Sequence, residues 1–206
     1  VRLPAAMNGV AGMRPTAGRW STEGIVPLAS SLDTPGPLAR SVADLALAFA
    51  AIDPQTEVPV LSFVERLNTA VLADFHIGIC DWYFADCEPG IAEGVQSALD
   101  ELARQGLRTT SVTMPHLDDV TEIFNRGGLH VGEFASFMAN EMRDYRDDLD
   151  PKVAIRIKDA ATFSTSEHLH RIKLLERMAR EANAAFGGLH AIVGPTLPLT
   201  PPKMSD

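Results

Sequence analysis

The side chains of this sequence best suited to chemistry are its six histidines, its two cysteines and a lysine beside an aspartate. The histidines are His76, His116, His130, His168, His170 and His190. His168 and His170 stand two apart on a predicted helix, so they face different sides. A helical metal pair needs a spacing of four, so no metal site is expected. Two cysteines are too few for a disulfide scaffold. Cys80 closes the apolar run Ile77-Gly78-Ile79 and reads as a buried small hydrophobe, not a nucleophile. Lys158-Asp159 has the look of a catalytic lysine with a neighbour, but such a lysine is buried with a lowered pKa. Here Arg156 and Asp159 flank it in a polar helix, so a solvated surface lysine is expected. Gly9-Val10-Ala11-Gly12 is too short and too poorly placed to cradle a dinucleotide. No Ser-His-Asp arrangement follows from chain order. The residues by themselves give no complete catalytic constellation.

The elements that must position any site are easier to read. Residues 1–37 are punctuated by Gly and Pro and carry little charge, which predicts turns and short strands packed inside a larger body. Ser41 and Asp44 make an S-x-x-D capping box ahead of the apolar run Val42, Leu45, Leu47, Phe49, Ile52, with Pro54 as the stop. That run is apolar nearly all round, which predicts burial on more than one side. Residues 53–73 read as a loop with a short helix near Phe63–Leu72. Residues 75–80 read as a buried strand, Gly90–Arg104 as an amphipathic helix stopped by Gly106, and Leu107–Val112 as a second strand. Strand, helix and strand in that order predict a βαβ unit. Val120–Met142 is helical with a middle weakened by Gly127 and Gly128, and 141–150 is a solvated charge run. Lys152–Ala161 and Ser166–Phe186 are further helices. The second is expected to bury Leu169, Ile172, Leu175, Met178, Ala179 and Ala182. Leu189–Val193 is a short strand, followed by Gly194-Pro195-Thr196 where ligands of open α/β sheets bind.

Composition bounds the function. The chain has 206 residues, 46% of them apolar, with 18 Lys and Arg against 27 Asp and Glu for a net charge of −9. That is ordinary globular composition. An acidic chain does not suit phosphate-driven nucleic-acid binding or an anionic membrane surface. The sequence has no apolar stretch of the roughly 20 residues a membrane span needs and no signal peptide, so a cytoplasmic protein is the expectation.

Residues 1–52 resemble the amidase signature family in an extended, ordered way. The match runs through Arg2-Leu3-Pro4-Ala5-Ala6, Asn8-Gly9-Val10-Ala11-Gly12-Met13-Arg14-Pro15-Thr16, Gly18-Arg19-Trp20 and Gly24-Ile25-Val26-Pro27. It continues through Ser30-Ser31-Leu32-Asp33-Thr34-Pro35-Gly36-Pro37 and Ala39-Arg40-Ser41-Val42-Ala43-Asp44. Ile192-Val193-Gly194-Pro195-Thr196-Leu197-Pro198 resembles the family again, while 53–188 matches only in its pattern of elements.

The resemblance implies an α/β fold, a mixed sheet covered by helices on both faces, and amide hydrolysis through a Ser–cis-Ser–Lys triad without a cofactor. The lysine, neutral and acting through the bridging serine, takes the proton of the nucleophilic serine. That serine attacks the amide carbonyl, ammonia or an amine leaves, and water hydrolyses the acyl-enzyme. Backbone N–H groups of a Gly-rich loop hold the oxyanion. The family places its nucleophile in a Gly-Gly-Ser stretch, so that serine is expected immediately before Val1, with the other two members further upstream. The chain therefore reads as a partial amidase domain over 1–206: a signature segment (1–52), a βαβ and helical region (53–188), and a strand with a Pro-rich loop (189–206). No catalytic residue is expected within it, and Ser30 and Ser31 belong to the family's scaffold loop. Arg2 is the residue expected to support the active site, either by anchoring the nucleophile's loop or through a structural salt bridge. Asp33 and Arg40 are expected to tie loop to helix, and Thr196 is a candidate for the acyl pocket.

The Arg-Pro-Thr and Gly-Arg-Trp wording is closest to mandelamide and indoleacetamide hydrolases, which implies a small-molecule amide as substrate and a homodimer as the assembly to test. Two alternatives remain: the A-type component of a tRNA-dependent amidotransferase, with its partner subunits, or a catalytically inert fragment.

Overall fold

In a computed structural model, residues 1–158 and 164–203 are described. They divide into two compact units. One comprises residues 1–21, 34–113 and 186–203, the other residues 22–33, 114–158 and 164–185.

The first unit opens with a short helix, α1 (Arg2–Met7), where the sequence predicts turns and strands. Pro4 lies in its first turn, where the missing N–H costs nothing, and Ala5-Ala6 are strong helix formers. Two-residue strands β1 (Ala11–Gly12) and β2 (Leu38–Ala39) pair antiparallel. Helix α2 (Val42–Ile52) begins as predicted: Ser41 Oγ accepts the Asp44 N–H at 3.1 Å. It buries Leu45, Ala46 and Ala50, yet Val42 is 67% exposed, so one face is covered and not several. Helix α3 (Val60–Asn68) lies a few residues earlier than predicted, starting directly after Pro59. Proline fixes the backbone there and cannot donate to a preceding turn.

The sheet of this unit has three parallel strands in the order β4-β3-β5. Strand β3 (His76–Ile79) is central, flanked by β4 (Arg108–Ser111) and β5 (Ala191–Val193). Gly78 in its middle is buried because Leu189 and Val112 close over it. A Cβ there would lie 2.8 Å from Leu189 Cδ1 and 2.9 Å from Val112 Cγ2. Helix α4 (Ile91–Arg104) connects β3 to β4, completing the expected βαβ unit. Its ends are fixed locally. Glu93 Oε2 accepts the Gly90 N–H at 2.9 Å at the start. At the end, Leu107 N–H donates to Leu102 O and Gly106 N–H to Ala103 O, both at 3.0 Å, with Gly106 at φ +106°. This pair of bonds is the Schellman arrangement, which favours glycine.

In the second unit the predicted 120–142 helix is two helices, α5 (Leu117–Asn125) and α6 (His130–Asn140). Gly127 and Gly128 between them adopt positive φ, which no helix continues through. The charge run after α6 is a 3-10 stretch at Arg143–Asp148 with every residue exposed. Helix α7 (Pro151–Lys158) follows, and the rest of the helix predicted to Ala161 lies outside the described residues, as does Asp159. The core here is Phe134, Met138 and Ile157, with Phe137, Met142 and Leu149 packed against it.

Helix α8 (Thr165–Ala185) matches the predicted span, but its buried face is turned. Leu169 is 53% exposed, and Arg171 is among the two residues it buries. The charge is tolerated because it is paired with a carboxylate and hydrogen-bonded to backbone carbonyls. Arg171 Nη1 donates to Arg126 O at 3.0 Å and Gly128 O at 3.1 Å, and Nε to Glu167 Oε1 at 2.9 Å. The carbonyls it satisfies are those freed where the glycines end α5.

Candidate functional site

The C-terminal ends of β3 and β5 meet at one edge of the parallel sheet, where α/β sheets bind ligands. Past β3 the chain turns through Cys80, Asp81, Trp82 and Tyr83, a 3-10 turn. Cys80 N–H donates to Val193 O at 3.4 Å, and Tyr83 N–H to Cys80 O at 3.1 Å. Cys80 is 1% exposed, so it is the packed small residue expected. Past β5 comes Gly194, and a Cβ on it would overlap the Cβ of Tyr83. Glycine is therefore what lets the β5 loop pass under the tyrosine. Burial pushes the Tyr83 phenol pKa up, the Cys80 thiol adds to this, and Arg2 opposes it. The Arg2 side chain is exposed, at the first residue of α1.

The β5 loop is tied down by a residue that sequence reasoning missed. Glu88 N–H donates to Pro198 O at 2.8 Å. Glu88 Oε2 accepts both the Thr200 N–H at 2.9 Å and the Thr200 hydroxyl at 2.6 Å. The hydroxyl first, then the N–H, hold its carboxyl below the usual range. Thr196 lies exposed between Pro195, which is buried, and this clamp.

At the C-terminal end of α2 lies a second polar centre. Asp53 accepts Arg19 Nε at 2.6 Å and Arg19 Nη2 at 2.7 Å, Trp20 Nε1 at 2.9 Å and Thr56 Oγ1 at 2.7 Å. Its side chain is fully buried, and the Arg19 bond holds the carboxyl far below the ordinary carboxylate range. Arg19 also stacks over Phe49, 5.1 Å from the ring centre. All of the acceptor capacity is used, so this centre holds the Gly18-Arg19-Trp20 segment against α2 and is not free for chemistry.

The other residues singled out in the sequence stand apart from the sheet edge in the chain. Asp33 accepts the N–H groups of Leu28 at 2.8 Å and Ala29 at 3.0 Å, closing its own loop. Ser31 donates through Oγ to Glu133 Oε1 at 2.5 Å and through N–H to Oε2 at 2.9 Å, fastening that loop to α6. Arg40 is exposed just before the Ser41 cap. Lys158 ends α7 and its neighbour Asp159 lies outside the described residues. Among the described residues no three His, Cys, Asp or Glu side chains gather as metal ligands. No described helix is long and apolar enough to cross a membrane.

The sheet edge, with its Gly-Pro-Thr loop, is the end of the sheet at which ligands of α/β domains generally bind. The family model for Amidase matches residues 1–206, and the chain belongs to that family. It is 37% identical over 209 residues to 2-amino-5-chloromuconic acid deaminase of Comamonas testosteroni, covering 100% of the chain and 44% of that protein. It is 30% identical over 236 residues to the A-type component of glutamyl-tRNA(Gln) amidotransferase of Akkermansia muciniphila, covering 100% of the chain and 50% of that protein. The chain spans about half the length of the curated relatives it matches. A crystal structure of an amidase superposes with a TM-score of 0.84 at 23% identity, over 100% of this chain and 45% of that one. That likeness establishes the shared α/β fold.

Proposed function

We propose that this chain is the central part of an amide hydrolase, which converts a carboxamide to a carboxylate with release of ammonia or an amine. The observation that carries this reading is the family match over residues 1–206, which includes the ordered signature from Arg2 to Asp44. In this reading the nucleophilic serine directly precedes Val1, and the bridging serine and the lysine lie further upstream. The serine oxygen bonds to the amide carbon, and its proton passes through the bridging serine to the lysine. The tetrahedral intermediate collapses with cleavage of the C–N bond, and the leaving nitrogen takes a proton. Water then cleaves the ester and restores the serine.

This chain's own contribution is positional. In this reading Arg2, the first residue of α1, supports the segment that follows the nucleophile. Thr196, exposed on the β5 loop, faces the acyl part of the substrate, with the Glu88–Thr200 clamp fixing the loop behind it. The substrate is a small-molecule amide, and the enzyme works in the cytoplasm. Over the whole chain, identity is higher to the Comamonas deaminase, at 37%, than to the Akkermansia amidotransferase component, at 30%, which favours a free hydrolase. The second reading is the amidotransferase component, which hands ammonia to partner chains.

Ammonia release by the protein made from its complete reading frame, purified alone and assayed on a panel of carboxamides, tests this. Turnover without added subunits supports the hydrolase. Turnover only with copurified subunits and a charged tRNA supports the second reading, and no turnover in either arm overturns both.

A further inference from the structure

His116 stands at the entry to α5 in the left-handed region, at φ +67°. Its two ring nitrogens both meet carboxylates. Nδ1 lies 3.1 Å from Asp119 Oδ2, one turn along α5, and Nε2 lies 2.5 Å from Glu181 Oε2 on α8. A neutral imidazole has one N–H and can donate to one acceptor, so two carboxylate partners require the doubly protonated ring. The charged groups that face it are Asp119 from α5 and Glu181 from α8. Arg177 stands 3.8 Å from the other Glu181 oxygen.

Helix dipoles bear on the same ring in opposite senses. A cation at the start of α5 is unfavourable, and Asp118 and Asp119 in that first turn offset it. Near the end of α8 a cation is favourable, and the last turn of α8 has no basic residue of its own. His116 supplies that charge. The same two helices flank a groove of about 390 Å³, with Ile123, Leu174 and Met178 among its lining.

We propose that His116 is a proton-controlled latch that ties the start of α5 to the end of α8, and that loss of its proton releases α5 and opens the groove between them. With one N–H the ring keeps one carboxylate and leaves the other without a donor, so the tie between helices weakens. Glu181 first and Asp119 second raise the imidazole pKa above its ordinary value. A raised folded-state value means the tie is fully present below the ordinary histidine pKa, about 6.5, and is lost as pH climbs through the folded value.

The test is hydrogen exchange of residues 118–125 in the full chain, followed by mass spectrometry from about pH 6 to about pH 9 and corrected for intrinsic rates. The variants are His116→Asn and Glu181→Gln. Asparagine tolerates the left-handed backbone, so the first keeps the turn and removes the charge. We expect the wild type to be protected at the low end and to lose protection towards the high end. His116→Asn shows weak protection at both ends, and Glu181→Gln moves the transition to lower pH. Wild-type protection that does not change with pH overturns the latch, as does an unchanged pH dependence in His116→Asn. If that variant fails to fold, an unmoved transition in Glu181→Gln overturns it equally.

Discussion

Arg19 and Asp53, 34 residues apart in sequence, meet through two parallel hydrogen bonds of 2.6 and 2.7 Å. The pair fastens the Gly18-Arg19-Trp20 segment to the C-terminal end of α2. Planar two-point bonding of this kind suits arginine and not lysine. Arg19→Lys keeps the charge and loses the fork, so it is expected to lower the melting temperature of the chain, measured by circular dichroism. Trp20→Phe removes one donor to the same carboxylate and is expected to cost about 2 kcal/mol in urea unfolding.

The same carboxylate sets an acid dependence. Its folded-state pKa is depressed, so its contribution is present above the ordinary carboxylate value of about 4 and is lost as pH falls below it. Asp53→Asn removes that contribution. The melting-temperature gap between wild type and Asp53→Asn should be widest near neutral pH and should narrow on acidification below about pH 4.

Two glycines predict opposite outcomes. Gly194→Ala drives a methyl into Tyr83 and should destabilise by about 1–3 kcal/mol, because the obstacle is the Cβ of a residue fixed in a turn. Gly94, inside α4, has open space around it. Gly94→Ala should therefore stabilise by about 0.5–1 kcal/mol. Chemical unfolding of both variants checks the pair.

Arg171→Met, similar in size, leaves the carbonyls of Arg126 and Gly128 without that donor in a buried place. A loss of about 3 kcal/mol is expected in urea unfolding. Leu169→Gln, two residues away on an exposed position, should change stability by less than about 0.5 kcal/mol.

Features set by neighbouring residues are legible in the amino-acid order alone. The Ser41 cap and the glycine stop at Gly106 each depend on a few consecutive side chains, and Gly127-Gly128 marks a weak point, though the sequence predicts one helix there where the structure has two. The strand–helix–strand order around α4 carries the parallel pairing of β3 with β4. What escapes needs partners distant in sequence. The apolar periodicity of α8 points to Leu169, because periodicity does not register that two freed carbonyls 43 and 45 residues back draw Arg171 inward. Glu88 gives no local signal, since its partner Thr200 lies 112 residues on. Asp53 reads as a loop residue after a helix, and its donors Arg19 and Trp20 lie 34 and 33 residues back. At the candidate site, the Gly194-Pro195-Thr196 loop and Arg2 emerge from the family-like wording. Tyr83 does not, because its importance comes from lying over Gly194.

Arg2 offers a kinetic test in the protein made from its complete reading frame. Arg2→Lys should lower kcat by about 100-fold with little change in KM, as expected when a reacting group is displaced by about 1 Å. Arg40→Lys, at an exposed position before α2, should leave both constants near their starting values.

The most direct measurement is the site of covalent labelling by a fluorophosphonate, a serine-reactive probe, in the protein made from its complete reading frame, mapped by peptide mass spectrometry. The expected result is a single adduct on a serine immediately before Val1, with loss of amide hydrolysis in proportion to labelling. An adduct on Ser30 or Ser31 that abolishes activity, or full activity after the preceding residue is replaced by alanine, would contradict it.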